Sequence, residues 1–278
     1  MIRLSLLTSV GALGIAASIA PRLSAQSDDE RWRRDCERSG SDAREEYCEV
    51  RYAGFKPTGA DLTIDPDVNG GVSVEGWDRD SVAISLGIQT GAVTLDDARK
   101  LAAEITVRGS GTEVTVDGPT NERHQVWSAN LWIRVPRKSG LAISATNGPL
   151  AVRNVAGHMD LRAQNGPLTL SDLAGEVRAR AQNGPLTVDL AGTSWDGKGL
   201  DAETVNGPVT LGLPEGYNAD LETGTINGPM NLGVPITVTL QGRVRDRIHT
   251  TLGKGGAPVR VVTTNGPISI ERARAGVR

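Results

Sequence analysis

Apolar residues return along this chain in short alternating pairs, and the pairs themselves return. Leu150/Val152, Leu168/Leu170, Leu186/Val188, Val209/Leu211, Met230/Leu232 and Ile268/Ile270 each bracket a single spacer: Ala151, Thr169, Thr187, Thr210, Asn231 or Ser269. Alternation of this kind predicts half-buried strands. A second alternating run precedes them. Leu141-Ile143-Ala145, Met159-Leu161-Ala163, Val177-Ala179-Ala181 and Val259-Val261-Thr263 face one way, while Asp160, Arg162, Glu176, Arg178 and Arg180 face the other. Turns with a recurrent glycine, Gly157, Gly175 and Gly192, separate the strands.

Between the two runs stands Asn-Gly-Pro, beginning at Asn147, Asn165, Asn183, Asn206, Asn227 and Asn265, with spacings of 18, 18, 23, 21 and 38 residues. Asn tolerates left-handed backbone, Gly takes angles closed to other residues, and Pro fixes its own φ while giving up a donor. The triplet is therefore a sharp corner, with Pro as the first residue of the next strand. A unit of two short strands cannot bury its apolar side alone, whereas stacked units can. An all-β fold follows, either a parallel β-helix-like solenoid or an antiparallel meander. The recurrence of equivalent side chains at equivalent positions favours the solenoid, in which the asparagines turn inward and bond as a ladder.

Upstream the pattern loosens. "VNGGVSVEGW" (Val68–Trp77) reads as an early corner, and "GSGTEVTV" (Gly109–Val116) as another. Thr94 and Asp97 have capping-box spacing before one short helix over Thr94–Glu104. Asn121–Pro136 supplies strands entering the regular array, and the 38-residue gap holds a degenerate coil or a hairpin, since "TTLGK" (Thr250–Lys254) resembles "TTNGP". The expected organisation is a signal peptide (1–25), a charged N-terminal segment (26–50), an irregular β region (51–136), the Asn-Gly-Pro solenoid (137–271) and a C-terminal tail (272–278).

The first segment changes the compartment. Met1-Ile2-Arg3, seventeen uncharged residues and the small-residue exit Ser24-Ala25 form an export signal, expected to be cleaved after Ala25. Cleavage leaves 253 of 278 residues without a transmembrane segment, and removing Arg3 and Arg22 takes the formal charge from −3 to −5. Nothing in that balance points to nucleic acid. In an exported chain the two cysteines, Cys36 and Cys48, are expected to pair.

Candidate chemistry is sparse. His124, His158 and His249 lack the company of a zinc site, and neither a nucleophile elbow nor a phosphate loop occurs, so no cofactor or metal is expected. Counting five residues back from the last five corner asparagines gives Asp160, Arg178, Asp201, Glu222 and Arg260, a mixed-sign column on a solvated face. Together with Glu203 and Asp220, its acids are the only candidates for polysaccharide cleavage. Trp195, in "GTSWDGKG", reads as a cap over an apolar edge or as an aromatic platform for a ligand, with Asp196 and Lys198 beside it.

Taken together, the repeated corner, "GTSWDGKGLDAETVNG" (Gly192–Gly207), "LPEGYNADLETGTINGP" (Leu213–Pro229) and "LGKGGAPVRVVTTNGPISI" (Leu252–Ile270) resemble the bacterial putative-adhesin family over roughly Val68–Ile270. The resemblance implies a right-handed β-helix-like fold, an envelope or extracellular setting (periplasm, cell surface or medium) and no established catalytic activity. The expected function is non-catalytic binding of a glycan, peptidoglycan or surface protein along one face of the stack. A self-associating structural element is the alternative, and a polysaccharide-active enzyme a more remote one.

Overall fold

The structure is a computed structural model that describes residues 25–38, 44–59, 61–66, 69–234 and 247–273. The expected signal segment lies outside the described residues up to residue 24, as do 235–246 of the long gap and 274–278 of the tail.

The irregular part comprises α1 (Ala25–Arg38), β1 (Glu45–Phe55), β2 (Leu62–Asp65), β3 (Val72–Trp77), β4 (Val82–Ala92), α2 (Leu95–Glu104), β5 (Thr106–Ser110), β6 (Glu113–Asp117) and β7 (Val126–Pro136). Each Asn-Gly-Pro repeat then contributes a pre-corner and a post-corner strand. These are β8 (Leu141–Asn147) and β9 (Leu150–Arg153), β10 (Ala156–Asn165) and β11 (Leu168–Ser171), and β12 (Ala174–Asn183) and β13 (Leu186–Asp189). There follow β14 (Gly199–Asn206) and β15 (Val209–Leu213), then β16 (Ala219–Asn227) and β17 (Met230–Leu232). A lone β18 (Arg247–Leu252) precedes the final pair, β19 (Pro258–Asn265) and β20 (Ile268–Arg272).

Two ten-stranded sheets result, one of pre-corner and one of post-corner strands, each extended by the irregular elements. Equivalent strands pair in parallel and in register, Asn165 lying opposite both Asn147 and Asn183. The meander is thus excluded for the repeats, and the stack is solenoid-like. Apolar residues from both sheets, among them Ile143, Leu161, Leu150 and Leu168, are almost completely buried between them. At about 25 cal/mol per Å² of apolar surface, this shared interior is the main favourable term, and no rung could form it alone.

The corners stack as tightly as the glycines allow. A Cβ at Gly166 would lie 2.1 Å from the carbonyl oxygen of Gly148, so the column tolerates no side chain there. "VNGGVSVEGW" supplies the first corner: β2 pairs with β8, β3 with β9, and Asn69 bridges to Asn147. "GSGTEVTV" does not, because it belongs to the antiparallel β5–β6 hairpin. Gly192 also leaves the expected column. The longer Ala191–Lys198 connection puts Gly197 over Gly175 instead, its would-be Cβ 2.4 Å from the Gly175 Cα.

The order of rungs departs from the order of the chain. β14 pairs with β19 rather than with β16, and β16 lies outside β19. β18 then runs antiparallel along the outer edge of β16. The long gap therefore contains a return strand, and "TTLGK" ends that strand instead of making a corner. The last rung in sequence fills a slot between two earlier ones.

Two helices stand where one was expected. α2 has the predicted cap, the Asp97 N–H donating to Thr94 Oγ1 at 3.1 Å, and buries Leu101 and Ala102 against the N-terminal end of the core. α1 lies in the charged segment, where apolar periodicity is too weak to announce it. It is held by the Cys36–Cys48 disulfide, by an edge contact of Trp32 with Trp132 (centroids 5.8 Å apart) and by Tyr52 Oη donating to Asp29.

Candidate ligand-binding band

The corner asparagines form one continuous amide ladder. Nδ2 of Asn147 donates to Oδ1 of Asn69, Asn165 to Asn147, Asn183 to Asn165, Asn206 to Asn183, Asn265 to Asn206, and Asn227 to Asn265, at 2.8–3.0 Å. The side chains are exposed, correcting the expectation that they turn inward. Alternation does not continue through a corner: the backbone turns there, and the next inward position belongs to the residue after Pro. Each ladder amide keeps one N–H and part of its carbonyl capacity for an outside partner.

Behind the ladder, a second set of bonds escaped the sequence reading. Buried Thr204, Thr263 and Thr225 donate to the corner carbonyls of Gly184, Gly207 and Gly266 at 3.0, 3.0 and 2.8 Å. The earlier rungs carry Ala145, Ala163 and Ala181 at this position, so a change from Ala to Thr was its only signal.

The outer face of the pre-corner sheet carries charge, and the charges neutralise one another. In spatial order the column reads Asp160, Arg178, Asp201, Arg260, Glu222, alternating in sign at every step. Arg260 bonds Asp201 and Glu203 at 2.6 and 3.0 Å, Arg180 bonds the same two acids at 2.6 and 3.0 Å, and Arg247 reaches Glu222 at 3.0 Å. Burial pushes the Asp201 carboxyl up, but the hydrogen bonds from Arg180 and Arg260 outweigh it and hold it below its ordinary range. An acid held ionised in this way suits an ion pair, not the protonated donor that glycoside cleavage requires.

The post-corner sheet presents a different surface. One column crosses it through Ser73, Ala151, Thr169, Thr187, Thr210, Ser269 and Asn231. It contains no charge. The hydroxyls of Thr169, Thr187, Thr210 and Ser269 are half-exposed and bond no group among the described residues. Beside it run the exposed prolines Pro149, Pro167, Pro185, Pro208, Pro267 and Pro229, and next the amide ladder. Beyond the ladder, the residues before each Asn are Thr146, Gln164, Gln182, Val205, Thr264 and Ile226, again uncharged. Four adjacent columns thus make a neutral band along the corner. With seven corners at about 4.8 Å spacing, it extends about 29 Å.

Trp195 is not part of it. The ring is only 8% exposed and its Nε1 donates to the Gly175 carbonyl at 2.9 Å, so it packs as a cap over the interior and offers no face to a ligand. Asp196 uses its backbone carbonyl to accept from the Gly175 N–H, and Lys198 pairs with Glu176 at 2.8 Å. The three predicted contacts therefore serve the longer turn. The Cys36–Cys48 pairing is present as expected.

A stack of in-register parallel rungs, with corners in one column, defines a solenoid-like class of domain. The chain belongs to the DUF4097 Toastrack family, which matches residues 58–271. Among solved structures it is similar to a putative cell adhesion protein from Clostridium sporogenes, at 14% identity and a TM-score of 0.41, covering 82% of this chain and 100% of that one. A putative adhesin from Bacteroides fragilis (10% identity, TM-score 0.30, 81% and 97% covered) is similar as well. So is a putative lipid binding protein from Parabacteroides distasonis (7%, 0.34, 80% and 96%). No curated protein matches the chain. At these identities and scores nothing of those proteins' roles transfers to it. Among the described residues no helix is long and apolar enough to cross a membrane.

Proposed function

We propose that the chain is an exported, non-catalytic adhesin-like protein of the cell envelope or surface, which binds neutral glycan strands along its uncharged corner band. The observation that carries this reading is the division of polar chemistry between the charged pre-corner columns and the neutral corner band. On the pre-corner face the charged groups satisfy one another. On the corner band, unbonded hydroxyls and half-used amides stand in register beside apolar proline faces. A sugar strand has the matching groups, with C–H faces to lie on proline and hydroxyls to exchange hydrogen bonds with Thr and Asn. Docking there buries no charge and so avoids the largest desolvation cost. The disulfide fits an oxidising compartment, and the N-terminal sequence fits export. The same reading takes the coil as right-handed, the hand that parallel strand connections favour.

Retention on insoluble neutral polysaccharide and on purified peptidoglycan tests the proposal. Thr187→Lys, which puts a charge halfway along the band, is expected to weaken retention about tenfold or more, and Arg178→Ala, in the charged column outside the band, to leave it unchanged. Equal retention by wild type and Thr187→Lys would remove the band from the function. Concentration-dependent assembly with no retained polymer would favour the self-associating alternative, for which a flat uncharged band is also suited.

A further inference from the structure

At its N-terminal end the band runs into a groove of about 890 Å³, within the size range of ligand sites. Asn69, Asn147 and Thr146 form one wall, and these are members of the band itself. On the neighbouring strands of the same sheet lie Asp65 on β2 and Glu113 and Thr115 on β6, and residues 117–121 complete the lining. Trp127 lies at the base, 8% exposed. Its Nε1 donates to the Pro119 carbonyl at 2.6 Å and its backbone N–H to Asn121 Oδ1 at 2.7 Å, so the loop is pinned against the ring.

The ladder has a direction, and the groove receives one end of it. Every link runs from Nδ2 of one asparagine to Oδ1 of the next asparagine toward the Asn69 end of the stack. Asn69 therefore accepts from Asn147, and its own Nδ2 has no acceptor among the described residues. Chains of hydrogen bonds polarise one another, which strengthens the donor at such an end. In the same groove Asp65 and Glu113 have neither an ion pair nor a hydrogen bond among the described residues. The groove thus gathers unused donors and unused acceptors in a space open to solvent. A bare anion would meet the carboxylates of Asp65, Glu113 and Asp117, the last of them paired with Arg108 at 3.1 Å, and a bare cation would meet the Asn69 N–H groups. A ring with neighbouring hydroxyls, each both donor and acceptor, satisfies both sets of groups. Its position along the strand is set by the loop 117–121, which stands across the end of the band.

We propose that this groove is a chain-end subsite that takes the terminal sugar of the glycan, a proposal that rests on the band binding the remainder of the strand. The test is calorimetric titration with short N-acetylglucosamine and cello-oligosaccharides, run beside retention on the insoluble polymers. The Asp65→Asn/Glu113→Gln double variant changes only exposed, near-isosteric groups. It is expected to bind short oligosaccharides about tenfold or more weakly while keeping most of its polymer retention. Thr115→Arg, which fills the groove by another route, is expected to do the same, and Thr187→Lys the reverse. Short oligosaccharides that bind both groove variants as tightly as wild type would overturn the subsite, as would polymer retention by a wild-type protein that binds no short oligosaccharide. In either case the band reading stands. Failure of wild type to bind polymer or oligosaccharide would overturn both.

Discussion

Asn183 occupies the middle of the amide ladder, donating to Asn165 and accepting from Asn206, each at 3.0 Å. Because these bonds are exposed, Asn183→Ala is expected to cost only about 1 kcal/mol, the net worth of ordinary hydrogen bonds, and Asn227→Ala, with one bond to lose, about half as much. Thermal melting of the two variants checks the ratio. Thr204→Val is the more damaging change although it is nearly isosteric. It withdraws a buried donor from the Gly184 carbonyl and is expected to cost about 1–3 kcal/mol. Trp195→Ala should open a void in the capped interior, at about 3–5 kcal/mol, without changing polymer retention. Lost retention in a variant that remains folded would return Trp195 to the ligand site.

At the scale of elements, strand order and charge agree. In chain order Asp201 and Glu222 would be cross-strand neighbours of like sign. Insertion of β19 puts Arg260 between them. A cysteine pair at 201 and 260 is therefore expected to oxidise to a disulfide, because adjacent strands bring Cα atoms within the usual bonding range. A pair at 201 and 222, two strands apart, should not. Free-thiol titration of the two variants decides between the orders. The same network predicts an acid limb. The folded pKa of Asp201 lies below its unfolded value, so its contribution is complete above the unfolded pKa near 4. It is lost as pH falls through the lowered folded pKa. Replacing Asp201 by Asn should accordingly flatten the decline of melting temperature below about pH 4.

For the whole molecule, the insertion means that the C-terminal segment is interior. Deleting residues 247–278 removes the rung between β14–β15 and β16–β17, not a rung at the end of the stack. A simple stack would shorten by one unit and melt slightly earlier. Here the deletion is expected to abolish cooperative unfolding, because β16 and β17 lose the only parallel neighbours they have among the described residues. A sharp transition close to that of the full chain would contradict the inserted order.

Much of this architecture was readable without coordinates. Period-two alternation gave the strands, and the Asn-Gly-Pro corner with its recurrence gave stacking in register, since local chemistry and burial both repeat along the chain. The disulfide and the cap of α2 were equally local. The inserted order of rungs, the outward ladder, the neutral band beside the charged columns and the end groove were not. Each depends on which distant residues become neighbours, and that is decided where β-sheet pairing, charge and the shared apolar interior are satisfied together. Thr169, Thr187 and Thr210 appeared in sequence only as spacers between apolar residues. Parallel register across the folded sheet made them one continuous column.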